Sequence, residues 1–248
     1  MSGHSKWSTI KRRKGAQDAK RGQLFTKVIK EITIAARSGG GDPMGNSRLR
    51  RAIDLARGVN MPADNVTRAI QKGTGELEGV QYEELVYEGV GPDGTLFLCE
   101  VVTDNRNRTI AEVRKVFDKN HGQISSNGSA MWAFEQKGII RIDGDAVAEE
   151  ALFEAAVGGG AENMELVGDQ WIVTTPRNDL DVVRDAIVSH GIEVSEAALE
   201  YIPNNPKVVE GETAVKLVQL YEALEEHDDI QHVFSDFELS ELALAEMA

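Results

Sequence analysis

The stretch from Gly138 to about residue 200 constrains the fold most, because short apolar strands and amphipathic helices alternate there in a fixed order. In chain order, the predicted elements are a strand at 139–142, a helix at 146–157, strands at 164–167 and 171–175, a helix at 180–190 and a strand from Ile192 onward. The glycines at 158–160 end the first helix, and Gly168-Asp169 form the turn between the two middle strands. Strand-helix-strand-strand-helix-strand is the order of a ferredoxin-like domain.

The chain on both sides of this stretch predicts the parts of a second domain. Before it, the predicted elements are strands at 82–90 and 95–103 around the turn 91–94, then a helix that follows 103–109 and closes at His121-Gly122, with Asn107 as its N-cap, and short strands at 123–125 and 130–134. After it come a helix at 212–226, a strand at 230–234 and an acidic tail that we expect to be frayed. We therefore predict a discontinuous domain, 81–135 plus 207–240, with a third domain inserted at 136–206.

The first 75 residues follow a helical period instead. Apolar residues recur at helical spacing in 17–37, in 46–59 and from Pro62 to Gly73, and a glycine-rich linker follows at 73–80. Three short amphipathic helices are not stable alone and should pack together. The predicted fold class is α+β, with a small N-terminal helical bundle (1–75) followed by two ferredoxin-like α/β domains, the second inserted into the first.

Charge divides the chain at the same place. Residues 1–75 contain 16 Lys and Arg against 5 Asp and Glu, whereas the rest contains 11 basic and 36 acidic residues, for a net charge of −14. Such blocks of opposite sign predict a basic module that binds a polyanion. Lys20, Lys27, Lys30 and Arg37 are predicted to lie opposite the apolar stripe of the first helix, and Arg50, Arg51 and Arg57 to face away from the core.

Nucleic acid is the partner that this basic module predicts. Trp7, in an otherwise polar arm, either docks on the protein or stacks on a base. The cluster 104–109 stands at a strand-to-helix junction, where Arg106 and Arg108 either support the turn or contact phosphate. The predicted binding residues are Lys6, Trp7, Lys11, Arg12, Arg13, Lys14, Lys20, Arg21, Lys27, Lys30, Arg50, Arg51, Arg106 and Arg108.

The sequence motifs that could indicate catalysis or metal binding are better explained by structural roles. The G-x-G-x-x-G match at 89–94 precedes a strand rather than a helix, so we assign it to a hairpin. His227 and His232 flank a change from helix to strand, which disfavours a metal site. Cys99 lies in an apolar run and is expected to be a buried thiol. We expect no catalytic residues, metal, cofactor or small-molecule substrate, and, without a signal peptide or membrane span, a soluble cytoplasmic protein.

Several motifs resemble the YebC family, which includes bacterial YebC proteins and the mitochondrial translational activator of cytochrome c oxidase. They are Gly3-His4-Ser5-Lys6-Trp7, 17–22 (Gln-Asp-Ala-Lys-Arg-Gly), Phe25-Thr26-Lys27, 39–43 (Gly-Gly-Gly-Asp-Pro), Tyr87-Glu88-Gly89, 103–109 and 227–231 (His-Asp-Asp-Ile-Gln). The resemblance implies a helical N-terminal domain, two ferredoxin-like domains and no catalytic activity.

The resemblance implies two alternative functions. Family members are described as DNA-binding transcriptional regulators, and as ribosome-associated factors that help translate difficult stretches such as consecutive prolines. We favour the ribosome or its RNA as the target, because no helix-turn-helix presents a clear recognition helix in this sequence. Duplex DNA is the alternative, and an enzyme acting on a nucleotide is a third, since ferredoxin-like folds host many functions.

Overall fold

The computed structural model describes residues 18–247, although the side chains of 18–21 and 247 are not described. The helices are α1 (Asp18–Gly39), α2 (Ser47–Gly58), α3 (Ala63–Thr74), α4 (Arg106–Lys119), α5 (Glu149–Gly159), α6 (Leu180–Ser189), α7 (Gly211–Glu225) and α8 (Glu241–Met247). The strands are β1 (Glu83–Val90), β2 (Leu96–Thr103), β3 (Gln123–Ile124), β4 (Phe134–Asp143), β5 (Asn163–Val167), β6 (Gln170–Pro176), β7 (Glu196–Pro203), β8 (Lys207–Val209), β9 (Ile230–Ser235) and β10 (Phe237–Leu239). Over this described range, the helices are too short or too polar to cross a membrane.

Helices α1, α2 and α3 pack around one apolar core, which includes Ile32, Leu49 and Ala69. Asn46 ties the end of α1 to the start of α2. Its side chain accepts a hydrogen bond from the Leu49 amide (3.0 Å) and donates one to the Ala35 carbonyl (2.8 Å). The bundle is therefore closed by its own side chains, as its three apolar stripes predict.

The first sheet has the strand order β3-β1-β2-β9, and every neighbouring pair is antiparallel. Helices α4 and α7 cover one face, where Phe97 of β2 packs with Phe117 of α4 and Leu220 of α7. Strand β9 joins β2 although 126 residues separate Thr103 from Asp229, the residue before β9. The chain thus leaves this sheet, builds another and returns.

The second sheet has the strand order β5-β6-β4-β7, again antiparallel, with α5 and α6 on one face. This is the ferredoxin-like arrangement, and it confirms the predicted fold class of a helical bundle followed by two α+β sheet units. Strand β4 begins at Phe134, two residues before the limit drawn at 136. The division into three domains stays a prediction.

Three local predictions are wrong. Asn105 rather than Asn107 caps α4, because the Arg108 amide donates to its side-chain oxygen (3.1 Å). Residues 131–133 form a 3-10 turn, so the predicted strand at 130–134 is absent, and Phe134 instead begins β4. The acidic tail is ordered, since β10 pairs in parallel with β8 and Ala243 of α8 is buried in the core.

Candidate nucleic-acid interface

The basic N-terminal arm lies largely outside the described residues. This applies to Lys6, Trp7 and the cations of 11–14, and to the side chains of Lys20 and Arg21 at the start of α1. The structure does place the backbone of α1 from Asp18, and with it the point where the arm meets the folded body.

Helix α1 turns a polar face towards the C-terminal end of α7. Gln23 donates to the Glu226 carbonyl (3.1 Å), and the Lys27 ammonium donates to the Glu225 carbonyl (2.7 Å). Carbonyl groups at a helix C-terminus attract cations. Lys27 therefore helps to dock α1 on α7, a role that the charge pattern alone did not predict.

Lys30 is 6% exposed, so the prediction that it lies on a solvent face is wrong. Its ammonium contacts the Asp229 carboxylate (2.6 Å) and the carbonyls of Asp228 (2.9 Å) and Val102 (3.2 Å). Helix α1 has a second buried face, because the loop between α7 and β9 packs over it. An ammonium with this many acceptors is a structural cation.

Asp229, the partner of Lys30, also contacts α4 and so joins α1 to α4. Its second carboxylate oxygen accepts hydrogen bonds from Thr109 (2.6 Å) and from Arg108 (2.8 Å), and Thr103 lies 3.3 Å away. Burial alone would raise the pKa of Asp229, but the hydrogen bonds from Lys30, Thr109 and Arg108 outweigh it and hold that pKa well below its usual range. Arg108 also pairs with Asp104 (2.9 Å), so it supports this turn as well as any phosphate it contacts.

Arginines of α2 bind acids of α6 rather than facing open solvent. Arg51 contacts Asp181 (2.6 Å), Arg50 contacts Asp185 (3.3 Å), and Arg184 of α6 returns a contact to Asp54 of α2. Arg50 and Arg51 do lie outside the apolar core of the bundle, but they are not on open surface, because the second sheet brings α6 to this face.

Arg48 is not among the predicted nucleic-acid-binding residues, but it links the bundle to the first sheet. Its guanidinium lies 2.7 Å from Glu31 of α1 and 2.5 Å from Glu84 of β1. Like Arg50 and Arg51, it neutralises acids of this chain. The arginines of α2 are thus paired with acids of this chain.

Helix α4 carries several basic side chains that are exposed and do not pair with acids as the arginines of α2 do. Arg106 is exposed, as are Arg114, Lys115 and Lys119, and the last three form no ion pair with any described side chain. The sequence analysis did not include these three among the predicted binding residues, although Arg114 and Lys115 stand side by side between the apolar positions Val113 and Val116 of a predicted helix.

The start of α4 lies close to the place where the N-terminal arm joins the body. Glu226, which accepts from Gln23 of α1, is followed directly by His227, whose ring lies 3.2 Å from Glu112 of α4. Asp229 then contacts both Lys30 and Arg108. The N-terminal half of α1 and the first turns of α4 are therefore joined through the segment between α7 and β9.

The motifs that were rejected as chemistry have structural roles. Strands β1 and β2 pair antiparallel across residues 91–94, so the G-x-G-x-x-G match is part of a hairpin. Cys99 is fully buried in β2, and burial raises the pKa of its thiol to about 12. A thiol with so high a pKa carries little thiolate at neutral pH and is not a nucleophile.

Two family models match the chain. The model described as the TACO1/YebC protein N-terminal domain matches residues 5–76, and that of the TACO1/YebC second and third domain matches residues 82–237. A probable transcriptional regulatory protein of Desulfotalea psychrophila is 50% identical over 100% of both chains. Another, from Treponema denticola, is 51% identical over 97% of this chain and 98% of the relative.

A solved structure agrees with the sequence matches. The crystal structure of a conserved hypothetical protein from Aquifex aeolicus superposes with a TM-score of 0.85 at 43% identity, covering 90% of this chain and 93% of that one. The resemblance that the motifs carried is thereby confirmed, and this chain belongs to the TACO1/YebC family.

Proposed function

We propose that this protein is a nucleic-acid-binding regulator of gene expression without catalytic activity, and that its target is the ribosome or its RNA. One observation carries the proposal: the cations divide into two classes. Lys30, Arg48, Arg50 and Arg51 are neutralised by acids of the same chain. Arg114, Lys115 and Lys119 of α4 are instead exposed and form no ion pair with any described acid, and a polyanion is the partner that such cations suit.

The printed names of the relatives support the coarser part of this proposal. Both close relatives described above are named probable transcriptional regulatory proteins. A regulatory role is also consistent with the buried, high-pKa state of Cys99, which removes the chain's one thiol as a candidate nucleophile.

The placement of α2 favours structured RNA over a base-reading contact with duplex DNA. A recognition helix enters the major groove with a face of side chains that reach base edges. If α2 were such a recognition helix, Arg50 and Arg51 would have to break their contacts to Asp185 and Asp181 in order to reach base edges. Structured RNA is recognised by shape and phosphate contacts, which an arm and an exposed basic helix supply. Duplex DNA stays the alternative target.

The test is to measure cosedimentation with ribosomes and gel shift of duplex DNA over the same salt series. We expect the protein to pellet with ribosomes at physiological salt and to bind naked DNA less tightly. The variant Lys11→Gln, Arg12→Gln, Arg13→Gln, Lys14→Gln should flatten the log–log salt slope by roughly three to four, about 0.7–0.9 per phosphate contact.

A comparison variant removes three exposed cations from elsewhere in the bundle, Arg57→Gln, Arg68→Gln and Lys72→Gln, and its slope is compared with that of the arm variant per charge removed. It should change the slope less than the arm variant does. Equal effects would mean that net charge, not the arm, determines binding. Tighter binding to duplex DNA than to ribosomes would select the transcriptional alternative, and the absence of both interactions would refute the proposal.

A further inference from the structure

Helix α5 carries two large apolar side chains that its own fold does not use. Phe153 is 56% exposed and Val157 is 52% exposed, and both lie outside the apolar core of the second sheet unit. They are four positions apart on a helix, so they are neighbours on its surface. Helix α5 packs on the sheet through other residues, Leu152, Ala155 and Ala156. Phe153 and Val157 therefore form an apolar surface that the described chain leaves open.

Glutamates surround this apolar pair. Glu149, Glu150 and Glu154 lie within one helical turn of it, and all three are exposed. Among the described residues, none of these three carboxylates has a basic partner at ion-pair distance. The stretch 142–176, which contains α5, has eight Asp and Glu and no Lys, Arg or His. The apolar pair is thus rimmed by negative charge that no basic residue of the same stretch offsets.

The neighbouring helix shows how acids of this unit are used. Helices α5 and α6 lie side by side on one face of the second sheet. On α6, Asp181 and Asp185 contact Arg51 and Arg50 of the basic helix α2. The glutamates of α5 belong to the same acidic unit and lack such cations in the described part of the chain. A basic partner from another molecule can supply them.

From these observations we infer that the exposed side of α5 is a docking surface for a basic segment of another protein. The partner brings Lys or Arg side chains to the three glutamates and an apolar side chain onto Phe153 and Val157. An apolar centre within a polar rim is the usual anatomy of a protein interface, and opposite charges steer the two surfaces together. The inference goes beyond the proposed function, because it gives the protein a second partner whose charge is opposite to that of nucleic acid.

Other occupants fit this surface less well. The phosphates of a nucleic acid or of an anionic membrane are repelled by the carboxylates. A second copy of the chain that used the same surface would place glutamates opposite glutamates, because a two-fold interface is made by the same patch on both subunits. Like charges that face each other across an interface oppose association. A basic segment of a different protein avoids both kinds of repulsion.

The experiment titrates the full chain into a short fluorescein-labelled peptide of Lys and Leu and records fluorescence anisotropy. Phe153→Ser combined with Val157→Ser should weaken binding at least about tenfold, because apolar contact area is lost. The matched control is Val208→Ser combined with Leu242→Ser, which removes two exposed apolar side chains elsewhere (65% and 62%) and should bind as the parent does. A peptide of Lys and Ser with the same charge should bind the parent more weakly.

The acidic rim is tested separately. Glu149→Gln, Glu150→Gln and Glu154→Gln together should weaken binding of the Lys-Leu peptide and make it less dependent on salt. The control replaces three exposed glutamates of other regions and should keep the parent's affinity; it is Glu78→Gln, Glu193→Gln and Glu241→Gln.

All the replaced side chains are exposed, so the variants should melt near the parent. Parent-like binding by the Phe153 and Val157 variant, or equal binding of the Lys-Ser peptide, would overturn the inference. Binding of the Lys-Leu peptide to the arm variant but not to the parent would overturn it too, since the chain's own arm would then occupy the surface. The absence of ribosome and DNA binding would refute the proposed function alone, because this peptide contains no nucleic acid.

Discussion

Helices α1 and α4 carry the same kind of residues and use them in opposite ways. Both are amphipathic and basic, yet α1 directs Lys27 and Lys30 at the carbonyls and carboxylate around the end of α7, whereas Arg114, Lys115 and Lys119 of α4 are exposed. A polar stripe on a helix indicates which side is not packed in its own domain. It does not indicate whether another part of the chain covers that side.

The contact between Lys30 and Asp229 gives the largest expected effect. Both side chains are 7% exposed, so Lys30→Ala leaves a buried carboxylate without its closest cation. We expect a loss of about 3–5 kcal/mol in the free energy of unfolding, the range for breaking a buried pair by removing one partner. Denaturant unfolding monitored by circular dichroism measures it.

The neighbouring residue provides the control for that experiment. Asp228→Asn changes an exposed carboxylate whose backbone carbonyl, and not its side chain, accepts from Lys30. It should alter stability by no more than about 0.5 kcal/mol. If Lys30→Ala were equally mild, α1 would not be held by this pair, and the distinction between α1 and α4 would lose its basis.

Acid should weaken the same junction. The folded state lowers the pKa of Asp229 well below its ordinary value near 3.9, so the stabilisation is complete above that value and is lost progressively as the pH falls from there towards the lower pKa of the folded state. Stability measured from pH 6 downward should therefore decline more steeply below about pH 4 in the parent than in Asp229→Asn, which has no proton to gain. Parallel pH profiles for the two proteins would contradict the assignment of Asp229 as the titrating group.

Much of the fold could be predicted from local sequence, because period and turn chemistry act over short distances. The hairpin around Gly91 and Gly94 and the helix that ends near Gly159 depend on neighbouring residues, and the structure has both. The returning strand β9 was predictable by elimination, since one sheet lacked a strand. These features need no knowledge of which distant residues meet.

The site was less predictable, because its contacts join distant parts of the chain. Lys30 and Asp229 are 199 positions apart, and Arg51 and Asp181 are 130 apart. Residues 130–134 read locally as a strand, but Glu88, more than 40 positions earlier, shapes them into a turn that exposes Trp132. A single sequence does not contain these pairings in any local pattern.

The exposed cations of α4 are expected to have the smallest effect on stability. Replacing them tests most directly whether α1 and α4 use their basic residues differently. Arg114→Gln, Lys115→Gln and Lys119→Gln together remove three charges that pair with no described acid, so each should change the free energy of unfolding by no more than about 0.5 kcal/mol. Binding to ribosomes should respond instead, with the log–log salt slope flattened by roughly two to three, about 0.7–0.9 per phosphate contact. Lys30→Ala should show the reverse, with a large loss of stability and, at temperatures where it is folded, an unchanged slope. Measuring melting and salt-dependent binding on both variants separates structural from binding cations. A triple variant that melts early, or one that binds with the parent's slope, would place α4 in the same class as α1.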